Sequence, residues 1–135
     1  MLTALALASS ACRDQPTGSG TKDIEQYSIE SLRVSPDTIS VGDTAIVTAG
    51  LYLDCTNRIT RVDTSFDTLY TPLKVEVAIF GTVFTGPGPR PLCPAVLAGK
   101  NIALVFPKPG IWIVEASEPP SPAVPPRVRD TIIVR

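Results

Sequence analysis

The stretch Leu32-Arg33-Val34-Ser35-Pro36-Asp37-Thr38-Ile39-Ser40-Val41-Gly42-Asp43-Thr44-Ala45-Ile46-Val47-Thr48-Ala49, continued through Leu51, Leu53 and Cys55, sets apolar side chains two positions apart. That is the period of a strand with one buried face, because successive side chains of an extended chain point to opposite sides. Leu32 and Val34 flank Arg33, Ile39 and Val41 flank Ser40, and Gly42-Asp43 supplies a turn. Ala45, Val47, Ala49, Leu51, Leu53 and Cys55 then share a face, which sets the Cys55 sulfur on the core side.

The same period recurs along the chain. Leu73, Val75, Val77 and Ile79 alternate with Lys74 and Glu76, and Ile102, Leu104 and Phe106 form a further strand. Ile111-Trp112-Ile113-Val114 is apolar on both faces, and Ile132 and Val134 close the chain. The expectation is an all-β sandwich or barrel of six to eight short strands, without a long helix. Residues 56–71 are ambiguous. Ile59, Val62, Phe66 and Leu69 step by three, four and three, as in a helix, yet five β-branched threonines (56, 60, 64, 68 and 71) oppose one. Helix, strand and loop all stay open there, and the segment is long enough for a functional insertion.

Composition narrows the chemistry. The 135 residues suit one domain, and fourteen prolines with nine glycines, about 17% of the chain, exceed the roughly 12% of average usage and favour short elements joined by stiff turns. The proline cluster from Glu118 to Pro126 reads as a stiff loop. Twelve basic and thirteen acidic residues leave a net charge of −1, without the basic footprint of a nucleic-acid binder. The absence of histidine removes the commonest general base, the histidine-dependent triads and every histidine-containing zinc site. No nucleophile motif and no phosphate-cradling loop takes their place, so a non-enzyme without cofactor or metal is expected. Asp54, Asp63 and Asp67 could with threonine hydroxyls hold calcium, although their spacing fits no calcium-loop signature. Trp112, Tyr27, Tyr52 and Tyr70 could stack on sugars, but Trp112 lies in an apolar run that suits a core, and Tyr70 is the better surface candidate.

Leu2-Thr3-Ala4-Leu5-Ala6-Leu7-Ala8 is too short to span a bilayer and suits a secretion leader. With Ser9-Ser10-Ala11 before Cys12 it resembles the bacterial lipobox, in which the leader is cut before a lipid-modified cysteine. The resemblance implies a signal peptide over residues 1–11, a lipidated Cys12, and an exported protein anchored in the bacterial envelope, in the outer membrane where there are two. Residues 12–26 read as a flexible tether and residues 27–135 as the folded domain. Setting Cys12 aside leaves Cys55 and Cys93, an even pair in an exported chain, and a disulfide between them is expected. Closing the intervening loop of thirty-seven residues would stabilise the domain by roughly 4 kcal/mol on the chain-entropy argument.

The stretch from Leu32 to Ala49, the Pro-Gly turn before Ile111 to Val114, and the closing Thr131 to Val134 resemble the strands of bacterial immunoglobulin-like domains. This resemblance implies an immunoglobulin-like antiparallel β-sandwich of about seven strands. The expected function is a monomeric, membrane-anchored display module that meets an envelope protein, an extracellular protein or a glycan through sandwich-end loops or an exposed sheet edge. Arg90 and Leu92, in the proline-rich loop from Pro87 to Pro94, and Tyr70 are the candidate partner-binding residues. Alternatives are an inhibitor or assembly subunit that docks this loop into a partner, and a carbohydrate- or calcium-dependent adhesion module.

Overall fold

A computed structural model of the chain describes residues 21–69, 71–86, 88–89, 92–117, 119 and 128–135. Nine strands run through them: β1 (Thr21–Gln26), β2 (Ser31–Ser35), β3 (Thr38–Ile39), β4 (Thr44–Leu53), β5 (Ile59–Asp67), β6 (Leu73–Thr85), β7 (Val96–Val105), β8 (Gly110–Ala116) and β9 (Arg129–Val134). There is no helix among the described residues. Two sheets pack as a sandwich. The smaller is antiparallel in the order β2-β4-β7, and the larger holds β1, β3, β5, β6, β8 and β9.

The alternation read from the sequence becomes the core. From the small sheet come Leu32, Val34, Ala45, Val47, Ala49, Leu51, Ile102 and Leu104. Facing them are Val75, Val77, Ile79, Trp112, Val114, Ala116, Ile132 and Val134, with Phe106 beyond the end of β7. Trp112 is fully buried, and its indole N–H donates to the Lys108 carbonyl at 3.0 Å, so its one polar atom is satisfied.

The long strand β6 organises the large sheet. Its first half pairs with β8 (Leu73↔Trp112 to Val77↔Ala116), its second half with β1 (Phe80↔Gln26 to Thr85↔Thr21), and β5 lies along its other side. β8 and β1 therefore follow one another along the same edge of β6. Gln26 joins them, its side-chain amide donating to the Ser117 carbonyl at 2.8 Å.

Several expectations need correction. The sheets are not wholly antiparallel, because β6 runs parallel to β8 and β3 parallel to β9. The strands number nine among the described residues rather than about seven. The domain begins before Tyr27, since Thr21–Gln26 form β1 in place of the end of a tether. That strand carries a single apolar side chain, the exposed Ile24, and is held by its backbone ladder and by bonds such as Thr85 Oγ1 to Asp23 Oδ2 at 2.8 Å. Alternation could not reveal it, because little of it is buried. The expected signal peptide over residues 1–11 and the rest of the expected tether lie outside the described residues.

Residues 59–67 are a strand, and a β-bulge explains their helix-like spacing. Ile59 pairs with Gly81 and Arg61 with Phe80, so Thr60 is an extra residue and Val62 returns to the face of Ile59 after three positions. Val62 and Phe66 then share a face at the strand period, whereas Leu69 lies beyond the strand, exposed. Val41 is likewise outside β3, exposed, with its N–H donating to the Arg135 carbonyl.

Candidate functional site

The Cys55–Cys93 disulfide is formed, with its Cα atoms 5.9 Å apart. Cys55 does not face the core. β4 ends at Leu53, and Cys55 sits exposed in the turn that follows, because side-chain bonds there replace the ladder. The Asp54 carboxylate accepts from the Thr56 N–H, the Asn57 side-chain oxygen accepts from the Asp54 N–H, and the Cys55 N–H donates to Cys93 Sγ at 3.1 Å. Asn57 and Thr56 tie the turn to Thr82 on β6. The bridge lies just past Leu53↔Val96, the last rung of the β4–β7 ladder, and fastens the approach to β7 onto the end of β4.

This end carries an exposed apolar surface. Tyr52 and Leu97 are direct cross-strand partners on the outer face, 58% and 59% exposed, and Val96, the partner of Leu53 on the other side of the sheet, is 60% exposed at its end. Leu92, one residue before the bridge, is fully exposed. Next along the ladder Gly50 faces Gly99, so the outer face there is bare backbone. A Cβ on Gly50 would overlap the Ser31 hydroxyl, whereas one on Gly99 would meet only a Thr48 methyl at 3.7 Å. The gap forms a shallow depression of about 540 Å³ lined by Ser31, Arg33, Thr48, Gly50, Leu97 and Gly99. Beyond it, Thr48 Oγ1 donates to Asn101 Oδ1 at 2.9 Å.

The two edges of the small sheet differ. β2 is five residues long, and its Val34 N–H donates to Asp130 Oδ2 at 2.8 Å, which closes part of that edge. β7 is ten residues long and pairs with β4 alone among the described strands.

A second cluster covers the outer face of the large sheet. Glu115 is buried, adjacent to Glu76 across β6–β8 and to Arg129 across β8–β9. Its carboxylate lies 3.4 Å from Lys74 Nζ and 3.3 Å from Arg129 Nη2, and Lys74 also lies 3.3 Å from Glu76. Hydrogen bonding to Glu76 and then to Glu115 holds the Lys74 ammonium above its ordinary pKa. A cleft of about 330 Å³ opens beside this group, also bordered by Asp67 and Thr71. With its charges engaged with one another, the cluster acts as a clamp across three strands.

Of the other described residues singled out from the sequence, Tyr27 and Trp112 are core residues and Tyr52 offers an exposed ring. Burial raises the Tyr27 phenol above its ordinary pKa, partly offset by bonding at Thr82. Asp54, Asp63 and Asp67 do not converge: the first caps its turn, the second pairs with Arg61 at 3.1 Å and the third accepts from the Leu69 N–H. Cys12, Tyr70 and Arg90 lie outside the described residues. The Tyr52–Leu97 pair and the opposed glycines were missed as a group. Tyr52 was readable as an outward position of β4, but its neighbour across the ladder depends on the fold.

The chain matches no protein-family model, no curated protein and no solved structure.

Proposed function

We propose that the protein is a non-enzymatic, exported display module, anchored in the bacterial envelope through lipid on Cys12, whose immunoglobulin-like sandwich binds a partner at its disulfide end. The observation that carries this reading is the exposed apolar pair Tyr52 and Leu97, with Val96 and Leu92 also exposed at the same end of the sheet, beside the Cys55–Cys93 disulfide. Exposed apolar side chains gathered at one end of a small domain are characteristic of an interaction surface. The disulfide suits an oxidising compartment. The immunoglobulin-like kinship draws support from the split course of residues 31–39: β2 joins β4 in one sheet, and β3 crosses to lie beside the last strand of the other.

Intact mass of the protein from the membrane fraction of a bacterial host tests the reading. The expected mass begins at Cys12 with acyl chains and gains two hydrogens on reduction. An unprocessed, unacylated mass with free thiols would remove the anchor, the compartment and the staple together.

The exposure of Leu92 favours a second reading, in which the stapled loop itself docks into a partner as an inhibitor or assembly subunit. A preorganised loop loses less entropy on binding. Binding to a candidate partner that survives both reduction and Leu92→Ala removes this reading.

A further inference from the structure

The sheet edges of this domain are unequally protected. Edge strands expose unpaired backbone donors and acceptors, and proteins blunt them with short length, bulges, charges or covering groups. β5 has a bulge at Thr60 and bears Arg61, Asp63 and Asp67. β3 has two residues, and β2 is short and engaged by Asp130. β7 has ten residues, no bulge against β4, and exposed Val96, Leu97 and Val105. Lys100, midway along it, is its single charge.

Lys100 stands opposite the fully buried Ala49, on the side of β7 that turns toward the other sheet, and is half-buried. No ion pair joins it to a described residue. A strand added to β7 would run beside this ammonium and deepen its burial, which costs free energy unless the newcomer supplies a counter-charge.

A second copy of this chain does not meet that need. Two β7 edges related by a two-fold axis perpendicular to the sheet run antiparallel with matching faces, and the registers that overlap nearly the whole strand centre on Lys100 or Asn101. The first sets the two lysines directly opposite, and the second makes them diagonal neighbours roughly 7–8 Å apart. Either way like charges meet where water is being removed.

From this geometry we infer that the free edge of β7 receives an extended segment of a partner protein as an added strand, and that Lys100 selects a segment presenting a carboxylate to it. Backbone pairing supplies affinity that is indifferent to sequence, and the side chain facing Lys100 supplies selectivity. The outer-face gap at Gly99 and the apolar Leu97 and Val105 receive the alternate side chains of the segment. The inference rests on the binding role proposed above, but its test does not depend on export or acylation, so either can fail without the other.

The test titrates the full chain with labelled synthetic peptides that alternate valine and threonine. One carries a single glutamate at the centre of its valine face, and a second carries lysine there. The glutamate peptide is expected to bind about tenfold or more tighter than the lysine peptide, since like-charge juxtaposition in an interface is strongly disfavoured. Lys100→Glu should reverse the order and Lys100→Gln should remove the preference, each variant first shown to melt as a folded protein. N-methylation along the pairing edge of the glutamate peptide should abolish binding. Absence of saturable binding, equal binding of the two peptides, or binding that survives N-methylation overturns the inference. So does a dimer in sedimentation whose β7 amides are protected from hydrogen exchange, because a second copy would then hold the edge.

Discussion

The Tyr27 hydroxyl donates to the Thr82 carbonyl of β6 at 2.5 Å, and a Cβ on the adjacent Gly81 would overlap both that hydroxyl and the Arg58 carbonyl. The ring thus lies against bare backbone, and through it the segment after β1 is locked to β6 and to the turn bearing Cys55. Gly81→Ala is expected to cost about 2 kcal/mol or more, because a backbone carbonyl cannot swing aside as a side chain can. Tyr27→Phe, which keeps the packing and loses the hydrogen bond, should cost about 1 kcal/mol. Urea melts of both variants check the ranking.

The same phenol predicts a pH dependence. Its pKa in the folded protein is raised above 10.0, chiefly by burial. Between the ordinary and the raised value the folded state holds more protons than the unfolded state, so stability falls as pH rises through that window and is unaffected below it. Unfolding free energies at about pH 8 and about pH 11 should differ less in Tyr27→Phe than in the wild type. An identical alkaline loss in both would refute the assignment.

Glu115 is the buried anion shared by Lys74 and Arg129. Glu115→Gln keeps the shape and removes the charge, and a loss of about 1–3 kcal/mol is expected, below that of a fully buried pair because Arg129 remains exposed to water. The Lys74 ammonium should then move back toward its ordinary pKa, with the Glu76 bond remaining. Its contribution to stability is present below 10.5 and lost as pH rises through the raised value. An NMR titration of the lysine side chain reads the shift directly.

Phe66 attaches β5 to the core. Its ring meets Phe106 and Trp112 edge-on at centroid distances of 5.9 and 5.7 Å. Phe66→Ala is expected to cost about 2–4 kcal/mol and to change the Trp112 emission, whereas Phe66→Leu should cost about 1 kcal/mol. A negligible loss in Phe66→Leu would mean that the aromatic contact contributes nothing beyond volume.

Replacement of Cys55 and Cys93 by serine opens a loop of thirty-seven residues and should lower stability by roughly 4 kcal/mol. Thermal melting of the oxidised protein against the double variant measures it. Because the bridge lies outside the core, the core signals of the folded variant should persist. A near-zero loss would show that the turn bonds around Asp54 and Asn57 fix the loop unaided.

Where a strand buries alternate side chains, the sequence alone placed it: β2, β4, the first half of β6, the second half of β7, β8 and β9 were all legible, because period-two alternation is the direct trace of one dry face. The pairing of Cys55 with Cys93 was legible as well, by counting cysteines on the expectation of export. β1 was silent because hydrogen bonds hold it with little burial, and β5 looked helical because the extra Thr60 offset Val62 from Ile59. Only the tertiary structure decided which strands became neighbours. The parallel pairing of β8 with β6, the burial of Glu115 between two cations and the facing of Gly50 by Gly99 all join residues distant in sequence, and no described strand pairs with the outer edge of β7. Alternation reports whether a face is dry, and carries no information about which strand lies alongside.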